Sequence, residues 1–309
     1  MVKAIRTIAI TGGTGFLGLA LTAKLIELGD FHIKILSRKG QNDNKLKQLG
    51  SLVEVVVGDL LVQESLKGFL DSDCTLVHLG FIQNGIEKDN LQATNNLILA
   101  CNDAKIKRLI HISTVSVFGR TKETEINEET PCNPETIYGV TKFKIEKKIK
   151  EILENNIELI ILRPTSVFET NRGSLMKLEQ NIQAKKTFQN YLKSCLFNER
   201  RMNLVHVINV VAAIVFLIEQ KPLPSGSVFI VSDDDSANNI FSYVERAIYH
   251  KYDIPYYPVA NIKIPLFFLS FALRFLGRNN INPKTIYSPQ KLLDLGFKRP
   301  VSFEKSLNE

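Results

Sequence analysis

Tyr138 and Lys142 stand four residues apart in Tyr138-Gly139-Val140-Thr141-Lys142. On a helix that spacing puts both on one face. The pair can do acid–base work at a carbinol carbon. Hydride transfer there needs a base for the hydroxyl proton, and a free tyrosine, titrating near pH ~10, is a poor one. A nearby ammonium favours the phenolate and brings it toward working pH. The same lysine can bond a nicotinamide ribose. Thr114 is the third member, in His111-Ile112-Ser113-Thr114-Val115-Ser116-Val117-Phe118-Gly119. It follows an apolar run that reads as a strand, at the strand end where doubly wound sheets place their sites. Its hydroxyl can bond the substrate oxygen that Tyr138 deprotonates.

Taken alone, the tyrosine–lysine spacing is common. Its weight comes from a second motif near the start of the sequence, Thr11-Gly12-Gly13-Thr14-Gly15-Phe16-Leu17-Gly18. Gly12 permits a tight turn, Gly15 a close approach of backbone to pyrophosphate, and Gly18 close packing of helix on strand. Thr14, Phe16 and Leu17 complete the loop, whose helix N-terminal amides face phosphates. The end of the second strand tests the choice between NAD and NADP. A carboxylate there binds the ribose 2′-hydroxyl, whereas an arginine accommodates a 2′-phosphate. Ser37-Arg38 carries no acid, and the planar fork of Arg38 favours NADP. Asp59, followed by Leu60 after the third strand, is placed to accept a bond from the adenine amine; its plainer role is a helix N-cap.

These residues need a scaffold, and the sequence alternates short apolar runs with amphipathic segments. Strands are predicted at Thr7–Thr11, Ile33–Ser37, Val53–Val57, Thr75–Leu79, Arg108–Ser113 and Glu158–Leu162. Helices are predicted at Gly15–Leu28, through a Lys/Asn-rich stretch to Leu49, on to Leu70, and at Asn90–Ala104 and Ile137–Asn155. Continuous apolar strands alternating with helices predict an α/β fold, a doubly wound parallel sheet of Rossmann type. After Arg163-Pro164 the pattern breaks. Residues 168–203 read as polar and irregular, Val205–Gln220 as a strand–helix return to the first lobe, and Val228–Val231 as a strand. The expected division is a cofactor domain of residues 1–167 plus 204–220 and a small, discontinuous C-terminal substrate lobe of 168–203 plus 221–309.

Composition narrows the class. The 309 residues are 44% hydrophobic and 23% charged, ordinary for a soluble globular protein. The net charge of +7 owes much to scattered lysines such as Lys142, Lys144, Lys147, Lys148 and Lys150, read as a solvated helix face. No basic cluster interleaved with aromatics points to nucleic acid. Cys74, Cys101, Cys132 and Cys195 lack metal or disulfide spacing, and the first ten residues lack a signal-peptide layout, so a cytoplasmic protein with reduced thiols is expected. Ile262–Leu276 is apolar but interrupted by Pro265 and Arg274 and too short to span a bilayer; a buried helix is expected there. Asp233-Asp234-Asp235 lacks the spacing of a calcium loop and reads as a solvated turn, and no metal is expected. His78 and His111, at strand ends, read as structural.

Together these motifs resemble the extended short-chain dehydrogenase/reductases, in the NAD-dependent epimerase/dehydratase family of nucleotide-sugar enzymes. The resemblance runs from the glycine loop to Phe168 and more loosely to the C-terminus. It implies that Leu79-Gly80-Phe81 contacts the cofactor, that Asn90 is a structural asparagine beside it, and that Arg163-Pro164-Thr165-Ser166-Val167-Phe168 lies by the nicotinamide, with Pro164, Thr165 and Val167 on the cofactor. Gln83 and Ser166 are expected on the substrate. The segment from Asn198 to Asn209 resembles the substrate-lobe return of UDP-sugar 4-epimerases, where Arg200 or Arg201 would bind the diphosphate. The departures are informative. Family dehydratases carry an Asp-Glu pair directly after the threonine, where this sequence has Val115 and Ser116, so dehydration is not expected. Phe118 replaces the usual tyrosine, and Ile208-Asn209 stands where many relatives have an aspartate.

The resemblance implies C4 epimerisation of a UDP-hexose or UDP-N-acetylhexosamine through a 4-keto sugar. Reduction of a nucleotide-linked 4-keto sugar by NADPH is the close rival, favoured by Ser37-Arg38. A reductase of steroid- or flavonoid-type carbonyls shares the same catalytic residues. A non-catalytic NADP-sensing regulator belongs to another class and typically lacks the Tyr/Lys pair that is present here. Relatives commonly form homodimers through the two middle helices.

Overall fold

Short β-branched runs become strands wherever a helix can cover both of their faces. The computed structural model describes residues 6–40, 43–47, 49–83, 85–121, 123–259, 262, 264–265 and 282–308. In chain order the first elements are β1 (Arg6–Thr11), α1 (Phe16–Leu28), β2 (Phe31–Ser37), α2 (Asn44–Lys47), β3 (Glu54–Val57), β4 (Thr75–His78), α3 (Glu87–Ala104) and β5 (Arg108–Ile112). There follow β6 (Glu125–Ile126), α4 (Ile137–Ile152), β7 (Glu158–Pro164), β8 (Ser166–Glu169), β9 (Arg172–Gly173), α5 (Met176–Gln183) and α6 (Thr187–Phe197). The last are β10 (Leu204–His206), α7 (Val207–Glu219), β11 (Ser227–Val231), α8 (Phe241–Lys251), β12 (Ile286–Tyr287), α9 (Gln290–Asp294) and α10 (Phe303–Ser306).

The main sheet has seven strands in the order β3-β2-β1-β4-β5-β7-β11. Neighbours from β3 across to β7 pair in parallel. The chain winds outward from β1 to β3, then returns to β4 on the other side of β1. That reversal is where a doubly wound sheet opens a crevice at its carboxyl edge. This is the expected α/β Rossmann architecture.

The chain divides into two compact units. The first comprises Met1–Thr114, Val140–Arg163 and Val211–Phe229; the second comprises Val115–Gly139, Pro164–Val210 and Ile230–Glu309. These limits differ from the expected ones: residues 115–139 group with the second unit, and the change within 205–220 falls inside α7. In the first unit, Leu97, Ile98 and Cys101 of α3, Ile145 and Ile149 of α4 and Leu153 just beyond it pack with Leu76, Leu109, Leu159 and Ile161 of the strands. In the second, Phe168, Leu204, Val244, Ile248 and Phe303 lie at the centre.

Four expectations about local structure need correction. Between β3 and Leu70 a single 3-10 turn, Gln63–Leu66, replaces the predicted helix. The Ser65 hydroxyl bonds the Asp59 and Val62 carbonyls and accepts from the Asp59 amide, so local side-chain bonds take groups a helix would use. The Lys/Asn-rich helix shrinks to α2 and a 3-10 turn at Gly50–Leu52. Residues 168–203 are not irregular: they hold β8, β9, α5 and α6. Val205–Gln220 does not return wholly to the first unit, because β10 pairs in parallel with β8 in a separate three-stranded sheet. The apolar stretch Ile262–Leu276 lies almost wholly outside the described residues. Among the described residues no helix is long and apolar enough to cross a membrane, and no cluster of His, Cys, Asp and Glu could hold a metal ion.

Candidate active site

The glycine loop follows β1 and opens α1, as predicted. Gly12 has φ +73°, and a Cβ there would sit 2.9 Å from the Gly80 nitrogen and the Leu79 carbonyl carbon. The ends of β1 and β4 therefore touch backbone to backbone. A Cβ on Gly18 would fall 2.2 Å from the Gly12 carbonyl oxygen, so α1 can start this close to the loop only with glycine there. Gly15 is the N-cap of α1 and supplies no side-chain bond, which leaves the first-turn amides without a capping side chain. A cradle that no Cβ can enter, with uncapped amides at its rim, fits the pyrophosphate of a dinucleotide. Thr14, Phe16 and Leu17 form its lip, and the Thr14 carbonyl accepts a 2.9 Å bond from Lys45 of α2.

At the end of β2, Ser37 is buried and its hydroxyl accepts from the Lys39 amide, while Arg38 and Lys39 are exposed. Arg38, Lys39 and Lys45 thus give this end of the sheet three cations. Lys39 and Lys45 escaped the sequence reading, although a lysine beside Arg38 was a visible signal. Asp59 accepts from the Leu61 amide at 3.0 Å and begins a turn, not a helix, so the N-cap role does not apply. Leu60 is partly buried against the core. Asn90 is buried, and its amide bonds the Ile82 amide and carbonyl and the Ile86 carbonyl. It therefore holds the loop after Phe81, on which Gln83 is exposed.

Lys142 is not part of a solvated helix face. It shares the inward stripe of α4 with Ile145 and Ile149, and only 3% of its surface is exposed; Lys144, Lys147 and Lys150 point outward. Its Nζ donates to the Ile112 carbonyl at 2.8 Å and lies 5.0 Å from the centre of the Phe81 ring. Burial pulls its pKa down to about 8, and the Glu146 carboxylate opposes the fall. Glu146 lies one turn further along α4, 2% exposed, in a two-pronged ion pair with Arg163 at 3.1 and 2.7 Å. The sequence reading missed Glu146; the signal was an acid four residues after Lys142 on the same stripe.

His78 and His111 stack at 5.2 Å near this lysine. Burial and the Lys142 charge depress both, His78 to about 3, so both rings are neutral. His78 Nδ1 is 2.6 Å from the Thr11 hydroxyl, which accepts from the Gly80 amide. This bond ties β4 to the glycine loop, in keeping with a structural role. Thr114 is buried at the end of β5.

The remaining predicted residues lie in the second unit. Tyr138 sits in the first turn of α4 with 43% of its surface exposed. Gly139 follows because a Cβ there would lie 2.5 Å from the Ser116 carbonyl oxygen. Pro164 and Thr165 are buried, Val167 is partly buried, and Ser166 is exposed. The Thr165 amide donates to Val231 and that of Ser166 to Asn203, which fixes this segment. The two arginines differ. Arg201 spends a guanidinium nitrogen on the Ser236 carbonyl at 2.7 Å, whereas the Arg200 guanidinium lies 5.4 Å from the centre of the Phe197 ring.

Asp233 and Asp234 are not a solvated turn: both are buried. Both carboxylate oxygens of Asp233 accept from the Asn209 amide nitrogen, one of them also accepts from the His206 amide, and the carboxylate pairs with Arg299 at 3.2 Å. Asp234 accepts from Asn203, Asn239 and the Tyr287 amide. Burial pushes the two carboxyls up to about 6 and 7 against these bonds. Asn209, the departure noted above, is the keystone of this cluster, also bonding the Val301 carbonyl and amide.

Known proteins place this architecture. The chain is 29% identical over 264 residues to a UDP-glucose 4-epimerase of Vibrio cholerae, covering 80% of this chain and 76% of that one. It is 26% identical over 284 residues to the N-acetyl-alpha-D-glucosaminyl-diphospho-ditrans,octacis-undecaprenol 4-epimerase of Escherichia coli O157:H7, covering 87% and 77%. Its fold matches the Bordetella bronchiseptica enzyme WbmG, solved in complex with NAD and UDP, with a TM-score of 0.75 at 19% identity over 99% and 93% of the chains. The model of the NAD dependent epimerase/dehydratase family matches residues 8–231. With the glycine cradle and a buried lysine one helical turn from a tyrosine, the chain belongs to that family and is an enzyme of the extended short-chain dehydrogenase/reductase type.

Proposed function

We propose that the chain epimerises C4 of a UDP-hexose or UDP-N-acetylhexosamine through a 4-keto sugar. The observation that carries this reading is the state of Lys142. It is buried, tied to the Ile112 carbonyl one helical turn from Tyr138, and its pKa of about 8 keeps it mostly charged at neutral pH. Tyr138 takes the C4 hydroxyl proton as the phenolate that the Lys142 ammonium favours. Thr114 orients the same oxygen by a hydrogen bond. A nicotinamide dinucleotide held by the Gly12, Gly15 and Gly18 cradle would supply reversible hydride transfer at C4, with no net redox change. Tyr138 then gives the proton back. Gln83 and Ser166 would contact the sugar, and Arg200 or Arg201 the diphosphate. Val115 and Ser116 offer no carboxylate for water loss.

The test is incubation with UDP-glucose and with UDP-N-acetylglucosamine, without added cofactor, followed by proton NMR. Appearance of the C4 epimer, abolished in Tyr138→Phe, supports the reading. A protein that carries nicotinamide dinucleotide yet converts neither sugar overturns it.

One observation favours a second reading. Arg38, Lys39 and Lys45, with no acid at the end of β2, suit a 2′-phosphate and hence NADPH, the usual external reductant. A one-way reductase of nucleotide-linked 4-keto sugars would consume NADPH stoichiometrically and release no epimer.

A further inference from the structure

We propose that the outer face of α6 is a docking surface for an anionic lipid bilayer. The helix has a settled inner face. Ser194 bonds Glu245 of α8 at 2.6 Å, Asn190 and Cys195 are buried, and the Tyr191 ring packs edge-on against Tyr257 at 5.3 Å. The stripe beside this inner face carries Phe188, 74% exposed, and one turn later Leu192, 51% exposed. Contiguous exposed apolar surface rimmed by polar residues is the form an interaction site takes. The chain returns beside them: the Ile264 amide donates to the Cys195 carbonyl near the end of α6, and the neighbouring Ile262 is 69% exposed.

Charge decides which partner fits. Across α5, α6 and their turn, the charged residues are Lys177, Lys185, Lys186 and Lys193 and a single acid, Glu179. Glu179 is buried and occupied by the Asn171 amide, so it offers no negative charge to the surface. Lys177, Lys185 and Lys186 are exposed, and none of the four lysines is ion-paired among the described residues. Apolar side chains ringed by unpaired lysines suit a membrane interface, where the rings enter the headgroup boundary and the ammonium groups meet lipid phosphates. A second copy of the chain fits poorly, because a two-fold contact would set lysine against lysine. The surface contains none of the residues assigned to the reaction, so its standing does not depend on the substrate.

The test is co-sedimentation of the full chain with vesicles of phosphatidylcholine alone and of phosphatidylcholine mixed with phosphatidylglycerol. Binding to the mixed vesicles only, released by salt, is expected. Lys185→Glu and Lys186→Glu should each weaken it about fivefold or more, and Phe188→Ser about tenfold. All three are surface changes that leave the thermal midpoint in place. No binding of the wild type to mixed vesicles overturns the proposal. So does binding untouched by these substitutions, equal binding to neutral vesicles, or a Phe188→Ser variant whose sole defect is loss of a dimer in light scattering.

Discussion

Replacing Glu146 with glutamine should move the alkaline limb of the rate profile to lower pH. In the proposed mechanism Lys142 must carry its proton to favour the Tyr138 phenolate, and its pKa of about 8 balances burial, which lowers it, against Glu146, which raises it. Activity should therefore fall as pH rises through that value. Residues one turn apart have Cβ atoms about 5–6 Å apart. At an effective dielectric near ~20, a unit charge at that range is worth about 2–3 kcal/mol, on the order of two pKa units. The Arg163 guanidinium shares the Glu146 charge, at 2.7 Å, and reduces the share that reaches Lys142. A shift of about one unit is expected, which lowers kcat/KM about fivefold at pH ~8 and under twofold at pH ~6. Glutamine still accepts one bond from Arg163 but leaves its charge unbalanced, at a cost to stability of about 3 kcal/mol. The profile should be measured well below the thermal midpoint, with Glu146→Asp beside it to keep the charge. A folded Glu146→Gln enzyme whose rate drops equally at every pH would refute the electrostatic account and leave Glu146 a packing residue.

Tyr138→Phe should lower turnover about 10²–10⁴-fold while cofactor binding by calorimetry is unchanged. Gly18→Ala drives a methyl to 2.2 Å from the Gly12 carbonyl, so it should cost about 1–3 kcal/mol in chemical denaturation and weaken dinucleotide binding; native affinity in that variant would contradict the cradle. Arg38→Ala should weaken NADP(H) about 10–100-fold and leave NAD(H) nearly untouched, as read by fluorescence titration. Asn209→Leu removes donors from the buried Asp233 and should destabilise by about 3 kcal/mol in urea.

How much was legible followed the range of the interactions. The strands could be read because β4, Thr75–His78, and its neighbours are continuous apolar runs, and the glycine loop because its constraint is local. The helices α5 and α6 escaped the sequence reading because α5 is mostly polar and two of the buried residues of α6, Asn190 and Ser194, are polar; their buried residues are few and become informative only once α8 is known to pack on them. Asp233 and Asp234 look like surface acids until Asn203, Asn209 and Asn239 are brought to them, and those partners lie 5 to 31 residues away. Ser65, by contrast, gave a local warning: a serine able to bond Asp59 competes with the helix that periodicity predicted.

The place of β11 in the sheet bears on how the protein is made. β7 lies between β5 and β11, so until β11 has been synthesised β7 has an open side. β7 ends at Pro164 and β11 at Val231, in a sequence of 309 residues. During translation a largely apolar strand thus waits for roughly 70 residues, several seconds at ordinary elongation rates, with one edge unpaired. Such an edge is a template for joining other strands. The same interleaving means that neither unit is a contiguous stretch of gene. Neither can be cut out, swapped or duplicated as a cassette, and the nascent sheet stands open for one interval, between the appearance of β7 and that of β11.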